Sequence, residues 1–363
     1  MFYPFKNELC KQLNIRLPII QAPMAGGVVT PALIAAVSRA GGLGSLPLGY
    51  LSVDEARLAI QQCKGATTSR FSVNLFVPSP DIMSSEKNIE PMLKHINKYR
   101  QKMALPVFKD IPRITEADFD ETLDMLVSEK ISLISFTFGV LSQQIMNRLR
   151  RENILLTGTA TSIKEGLMLQ ASGCHAVIAQ GYEAGGHRGG FSEEDSVGLI
   201  GSMALIPQMV DALDIPVIAS GGIMDGRGVA AALILGASAV QMGTAFLTCA
   251  ESKASAMHKQ LILAGTETDT CITSVFTGKP VRSIKNSFIS ATEKSFKQSE
   301  LPAYPLQHYL STELRKQANK SGQADCAGLW SGQGARLSRS LPAEILMAEL
   351  EKEMTSAFIK TGQ

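Results

Sequence analysis

Eleven residues, QGYEAGGHRGG from Gln180 to Gly190, hold five glycines, one glutamate and one of only five histidines in a chain of 363 residues. An imidazole titrates near neutral pH and can take up or release a proton at a reacting centre. Glycines on both sides let the backbone turn sharply and approach a ligand closely. His187 is therefore the candidate general base. The other residues able to do chemistry share one property: each closes a short apolar run. They are Met24 in QAPMAGG, Asn74 in FSVNLF, Gln180, Gly221 and Gly222 in SGGI, and Gln241, Met242, Gly243 and Thr244 in QMGT. Bare glycine amides in SGGI and MGTA suit the oxyanions of a phosphate. One GG pair after a strand is an ordinary tight turn, but two such turns at neighbouring positions point to a phosphorylated ligand. The amides of Asn74 and Gln180 both donate and accept, matching the edge of a flavin ring or a ribityl hydroxyl. Met24, behind a stiffening proline, offers a soft face for a flat ring. Carboxylates and histidines do not cluster as a metal site requires, so no metal is expected.

These residues need a scaffold that brings many strand ends together. Apolar, nonalternating runs occur at 17–21, 42–46, 71–76, 131–136, 153–158, 175–180, 216–220 and 239–243, separated by helix-length segments such as PALIAAVSRA, SVDEARLAIQQC and SIKEGLMLQASG. In DGRGVAAALILG, Asp225 is placed as an N-cap. Eight such units predict an α/β fold, a (β/α)8 TIM barrel, with ligands at the carboxyl ends of the strands. An open doubly wound sheet is the alternative, but its first strand is normally followed by a dinucleotide fingerprint, and here QAPMAGG follows. Two stretches interrupt the rhythm: an insertion at 77–130 with two expected helices, and a mainly helical C-terminal extension at 251–363. The whole chain, 1–363, is expected to form a single domain.

Composition narrows the function classes. Formal net charge is +2 and 45% of residues are hydrophobic, which argues against a nucleic-acid or anionic-membrane surface as partner. No apolar run is long enough to span a bilayer and the N-terminus lacks a signal core. The six cysteines form no CxxC pair, so free, mostly buried thiols and a cytoplasmic location are expected.

Together QAPMAGG, FSVNLF, QGYEAGGHRGGF, PVIASGGI and VQMGTAFL resemble the nitronate monooxygenases, formerly called 2-nitropropane dioxygenases. YPLQ and LWSGQG in the tail look like the class I branch, and SFTFG at 135–139 is close to its strand-four motif, with Thr137 where histidine is common. The resemblance implies FMN, with contacts at Met24, Asn74, Gln180, Gly185, Gly221, Gly222 and Gln241 to Thr244, and His187 as the catalytic histidine. It further implies a small-molecule nitronate and O2 as reactants, carbonyl compound and nitrite as products, and propionate 3-nitronate as the favoured substrate. The substrate's carboxylate would need a polar or cationic partner, for which Tyr304, Tyr309, Arg315 and Lys316 are the candidates, although tail residues of these types are commonly solvated. Oligomeric state is left open.

Three other readings compete. An FMN-dependent NAD(P)H reductase of the enoyl-acyl-carrier-protein reductase type shares the EAGGH run and the phosphate turns, and the tail motifs argue against it. An inosine-monophosphate-dehydrogenase-type barrel needs a cysteine over the ligand, and neither Cys174 nor Cys249 is well placed. A nonenzymatic flavin carrier leaves His187 without a purpose. The remaining histidines, His95, His175, His258 and His308, sit in polar helices, at a strand start or in the tail and read as ordinary solvated residues.

Overall fold

A computed structural model describes residues 7–78, 89–111, 118–191 and 198–360. Eight parallel strands form one sheet: β1 (Ile19–Gln21), β2 (Gly44–Pro47), β3 (Phe71–Phe76), β4 (Leu133–Thr137), β5 (Leu155–Ala160), β6 (Ala176–Gln180), β8 (Val217–Ser220) and β9 (Ala239–Met242). A two-residue strand, β7 (Gly186–His187), lies between the sixth and seventh of these along the chain. The sheet runs β1-β9-β8-β6-β5-β4-β3-β2, and a parallel bridge from Ile20 to Leu43 joins its two ends into a barrel. The expected (β/α)8 architecture is the one observed, each strand lying within about two residues of its apolar run.

Burial explains why the strands read as continuous apolar runs. Helices cover one face and the barrel interior occupies the other, so both faces of a strand such as β8 are buried. Ile20, Leu43, Leu133, Ala176, Ile178, Ile218 and Ala239 fill the interior near its amino end, where Leu9 and Leu13 of the helix Glu8–Leu13 close the opening. Side-chain caps set the helix starts: Thr30, Ser52, Ser162 and Asp225 each accept from backbone N–H groups one turn ahead.

The two additions meet each other. Among its described residues the insertion supplies two helices. Phe119–Ser128 packs on Val53–Ala66 in the barrel wall, and Ile89–Lys102 packs through Ile89, Met92 and Ile96 against Leu306 and Leu310 of the tail helix Leu306–Lys320. Residues 79–88, the SPDIMSSEKN part of the insertion, lie outside the described residues. The tail is mainly helical but also carries β10 (Thr270–Thr273) and β11 (Val281–Ile284), which join β7 in an antiparallel sheet. Its last helix, Ala343–Lys360, returns to the barrel wall and packs on Gly226–Ile234 and Pro31–Arg39. Among the described residues no helix is long and apolar enough to cross a membrane. The six cysteines are free thiols, five of them buried.

Candidate active site

All eleven predicted site residues line one cavity of about 1200 Å³ at the carboxyl ends of the strands: Met24, Asn74, Gln180, Gly185, His187, Gly221, Gly222, Gln241, Met242, Gly243 and Thr244. A barrel brings them together because parallel strands direct every βα loop to the same end.

Three glycines make the phosphate-type turns. Gly221 and Gly222 have positive φ, 107° and 72°, which favours glycine, and a Cβ at Gly221 would come within 3.0 Å of the Gly181 carbonyl. At Gly243 the situation differs. A Cβ there would make only ordinary contacts with the Ala22 Cβ at 3.6 Å and the Met24 Sδ at 3.8 Å. Protein packing gives no reason for glycine at this position, whereas the cavity it lines does. Among the described residues, the N–H groups of Gly221, Gly222 and Gly243 have no hydrogen-bond partner, nor has the Gln241 amide. An oxyanion and a polar ring edge would satisfy such groups.

The glycine-rich loop is held from three directions. Gln180 Nε2 donates to the His187 carbonyl (3.0 Å) and its Oε1 accepts from Gly189 N (2.7 Å). Glu183 accepts from the N–H and the hydroxyl of Ser202, tying the loop to the helix Ser202–Ala212. Buried Arg282 on β11 donates to the Tyr182 carbonyl and lies over the Tyr182 ring. The tail segment LWSGQG then docks on the loop almost backbone to backbone. A Cβ at Gly185 would lie 2.5 Å from Gly332 N, and Gly332 N donates to the Thr244 hydroxyl at 2.9 Å. Gly185 is thus required by this seam, and the Gln180 amide is occupied at both ends in bracing the loop.

His187 sits in β7, paired with Val281, among aromatic rings. Its ring centroid lies 5.6 Å from Phe138, 6.5 Å from Phe76, 6.4 Å from Tyr304 and 6.2 Å from Trp330. Nε2 is 3.1 Å from the Thr277 hydroxyl, which gives its own proton to the Lys279 carbonyl (3.1 Å). From this network Thr277 accepts Nε2–H, which leaves Nδ1 as the basic nitrogen. Burial lowers the His187 pKa to about 3, and the Arg315 and Lys279 cations push the same way. The imidazole is neutral at pH 7, in a pocket electrostatically prepared for an anion.

Several of these neighbours are absent from the sequence reading. Phe76 and Phe138 each lie at or one position past a strand end, so the same strand-end rule reaches them. Phe138 has φ of 76°, the left-handed region that favours glycine, which marks a backbone held for its ring. Thr277 and Trp330 come from the tail, whose register against the barrel is not written in local pattern. Three histidines expected to be solvated are buried: His95, bonded to Thr292; His258, bonded to the Trp330 carbonyl; and His308. His308 lines the cavity, stacked on Tyr50 at 4.3 Å. Tyr304, Tyr309, Arg315 and Lys316 also line it, so these tail residues are not simply surface.

Fold and site together define a (β/α)8-barrel protein whose glycine-floored, aromatic-walled cavity encloses a neutral histidine. The profile of the family described as nitronate monooxygenase matches residues 6–353, and the chain belongs to that family of oxidoreductases. A probable nitronate monooxygenase of Staphylococcus saprophyticus is 45% identical over 344 residues, covering 94% of this chain and 95% of its own. A Staphylococcus aureus relative with the same description is 43% identical over 347 residues, covering 95% and 96%. Among solved structures, a nitroalkane oxidase from Streptomyces ansochromogenes superposes with a TM-score of 0.90 at 39% identity, covering 97% of this chain and 99% of its own. FabK from Thermotoga maritima superposes with a TM-score of 0.76 at 27% identity, covering 98% of both chains.

Proposed function

We propose that this enzyme is an FMN-dependent nitronate monooxygenase that uses O2 to convert an alkyl nitronate, propionate 3-nitronate foremost, into a carbonyl compound and nitrite. The observation that carries the reading is a neutral His187, flanked by Arg315 and Lys279, in the cavity of a chain from this family. Cations beside an imidazole oppose its protonation and attract an anion, so the pocket suits a nitronate already ionised better than a neutral nitroalkane.

FMN fits the residues present. The unpartnered N–H groups of Gly221, Gly222 and Gly243 would hold its phosphate, the free Gln241 amide and Asn74 its polar edges, and Met24 the face of its ring. Bound there, it supplies one-electron chemistry between nitronate and O2. The protein's own part is to orient the nitronate beside Nδ1 of His187 and to exclude water with Phe76, Phe138, Tyr304 and Trp330. With a neutral nitroalkane, Nδ1 would accept the α-proton, and the arriving carbanionic charge would raise the imidazole pKa toward that task.

The test is oxygen uptake by the FMN-loaded protein on addition of propionate 3-nitronate, with an NADH-only control. Rapid uptake with nitronate alone is expected. Flavin bleaching by NADH without nitronate-dependent uptake would replace this reading by a reductase. FMN should also raise the melting temperature more than riboflavin does, because only FMN carries the phosphate for the glycine turns. Equal shifts would remove the phosphate site.

A further inference from the structure

One short segment of the tail fixes His187 at its backbone and at its ring. Val281 of β11 pairs with His187 across the antiparallel sheet, and the Pro280 carbonyl accepts from Arg188 N at 3.0 Å. In the turn just before this strand, Thr277 is fully buried and its hydroxyl lies 3.1 Å from Nε2 of the ring. A hydroxyl has one proton to give and two lone pairs to receive with. This one donates to the Lys279 carbonyl at 3.1 Å and accepts from Lys279 N at 3.3 Å. Its proton is thereby spent, and Nε2 meets the remaining lone pair.

The turn carrying Thr277 is itself braced. Thr277 N and Gly278 N both donate to the Ser274 carbonyl, at 3.3 and 2.8 Å. Gly278 has φ of 81°, and a Cβ there would lie 2.5 Å from the Pro302 carbonyl oxygen and from Tyr304 N. The turn is thus pressed against the segment that brings the Tyr304 ring to 6.4 Å from His187. A histidine base is often oriented by a carboxylate, but among the described residues no carboxylate bonds this imidazole. A carboxylate at Nε2 would favour the imidazolium and repel an arriving nitronate. A hydroxyl gives direction without adding charge, in keeping with the His187 pKa of about 3 that burial and the nearby cations produce.

We propose that Thr277 is the positioning residue for His187: its hydroxyl keeps the proton of the resting imidazole on Nε2 and sets the ring plane, so that Nδ1 presents its lone pair to the α-carbon of a neutral nitroalkane. In that step the α C–H bond breaks, its proton goes to Nδ1, and its electron pair stays on the substrate as the nitronate. The imidazolium so formed keeps its Nε2–H bond to Thr277. The chemical role rests on the oxygenase reading, whereas the tautomer does not.

Two variants of the FMN-loaded enzyme separate positioning from packing. Thr277→Val keeps the shape and removes the hydroxyl, while Thr277→Ser keeps the hydroxyl. In oxygen uptake, Thr277→Val should lower the ratio of kcat/KM for nitroethane to that for ethylnitronate by about tenfold or more, and Thr277→Ser should restore most of it. A merely structural role would cost both substrates alike, and an unchanged ratio overturns the proposal. The second measurement needs no turnover. With isotopically labelled histidine, proton–nitrogen NMR resolves the two ring nitrogens, and the His187 signals are those missing from His187→Asn. Wild type and Thr277→Ser should carry a hydrogen-bonded proton on Nε2 and none on Nδ1. In Thr277→Val the Nε2 proton should move upfield or vanish by exchange with water. A proton on Nδ1 in wild type, or an Nε2 proton unmoved in Thr277→Val, overturns the proposal. Absence of oxygen uptake with both substrates, alongside the expected spectra, would reject the oxygenase reading and keep Thr277 as the residue that positions His187.

Discussion

At the scale of single residues, His187 combines properties that a surface histidine lacks. Its Nε2 is committed to Thr277, its flanks are aromatic, and burial, helped by the nearby cations, keeps it neutral. Replacement by asparagine keeps a polar group of related size without a basic nitrogen. For His187→Asn we expect FMN to be retained and oxidation of neutral nitroalkanes to fall by about 10²- to 10⁴-fold, the usual range for loss of a general base. Preformed nitronates, which need no proton removed, should lose much less. Oxygen uptake with paired nitroalkane and nitronate substrates measures both, and equal losses would show that His187 transfers no proton. Because its pKa lies near 3, the imidazole should contribute no inflection to nitronate kcat/KM between pH 5 and 8. An inflection near 6.5 that disappears in His187→Asn would contradict that.

At the scale of elements, two glycines in the same cavity wall have different causes and can be separated. Gly185 belongs to the seam between the β6–β7 loop and the tail segment LWSGQG, where a Cβ would collide with backbone. Gly185→Ala should cost about 1–3 kcal/mol of stability, as overpacking commonly does, read as a lowered urea midpoint. Gly243 collides with nothing in the protein. Gly243→Ala should leave the urea midpoint of the FMN-free protein within about 0.5 kcal/mol of wild type. It should nevertheless weaken FMN binding by about tenfold or more, because the added methyl group would hold the phosphate away from the backbone N–H. Similar stability losses in both variants would mean that Gly243 serves packing after all.

At the scale of the whole molecule, the additions to the barrel bury histidines. His187, His258 and His308 have pKa values lowered from 6.5 to about 3, 4 and 2, each chiefly by burial. Below pH 6.5 the unfolded chain binds protons at these sites while the folded chain does not. Stability should therefore rise with pH from about 4 to 6.5 and level off above, each histidine contributing up to about 1.4 kcal/mol per pH unit. Urea midpoints at pH 5, 6 and 7 check the slope, and equal midpoints would show that these rings are not held neutral. The same burial makes the insertion and tail interdependent, since His95 of the insertion bonds Thr292 of the tail, while His258 bonds the Trp330 carbonyl within the tail.

The barrel was legible in the sequence because its physical causes are local. Strands buried on both faces become unbroken apolar runs, helix starts carry their own caps, as Asp225 does, and parallel connection sends every strand end to one mouth. Knowing that Asn74, Gln180, Gly221 and Gln241 lie at or near the carboxyl ends of strands was enough to gather them around one cavity. The second wall of that cavity was not legible in the same way. Trp330, Thr277, His308 and Arg315 reach His187 only because β11 pairs with β7 and the helix Leu306–Lys320 packs on the insertion. Those contacts join segments far apart in the chain, and no residue type or period within either segment encodes them. His95 and His258 looked solvated for the same reason, as a polar helix does not reveal which second element will cover it. Local pattern determined the scaffold and the strand-end half of the site, while long-range packing alone decided the charge and shape of the half that faces the substrate.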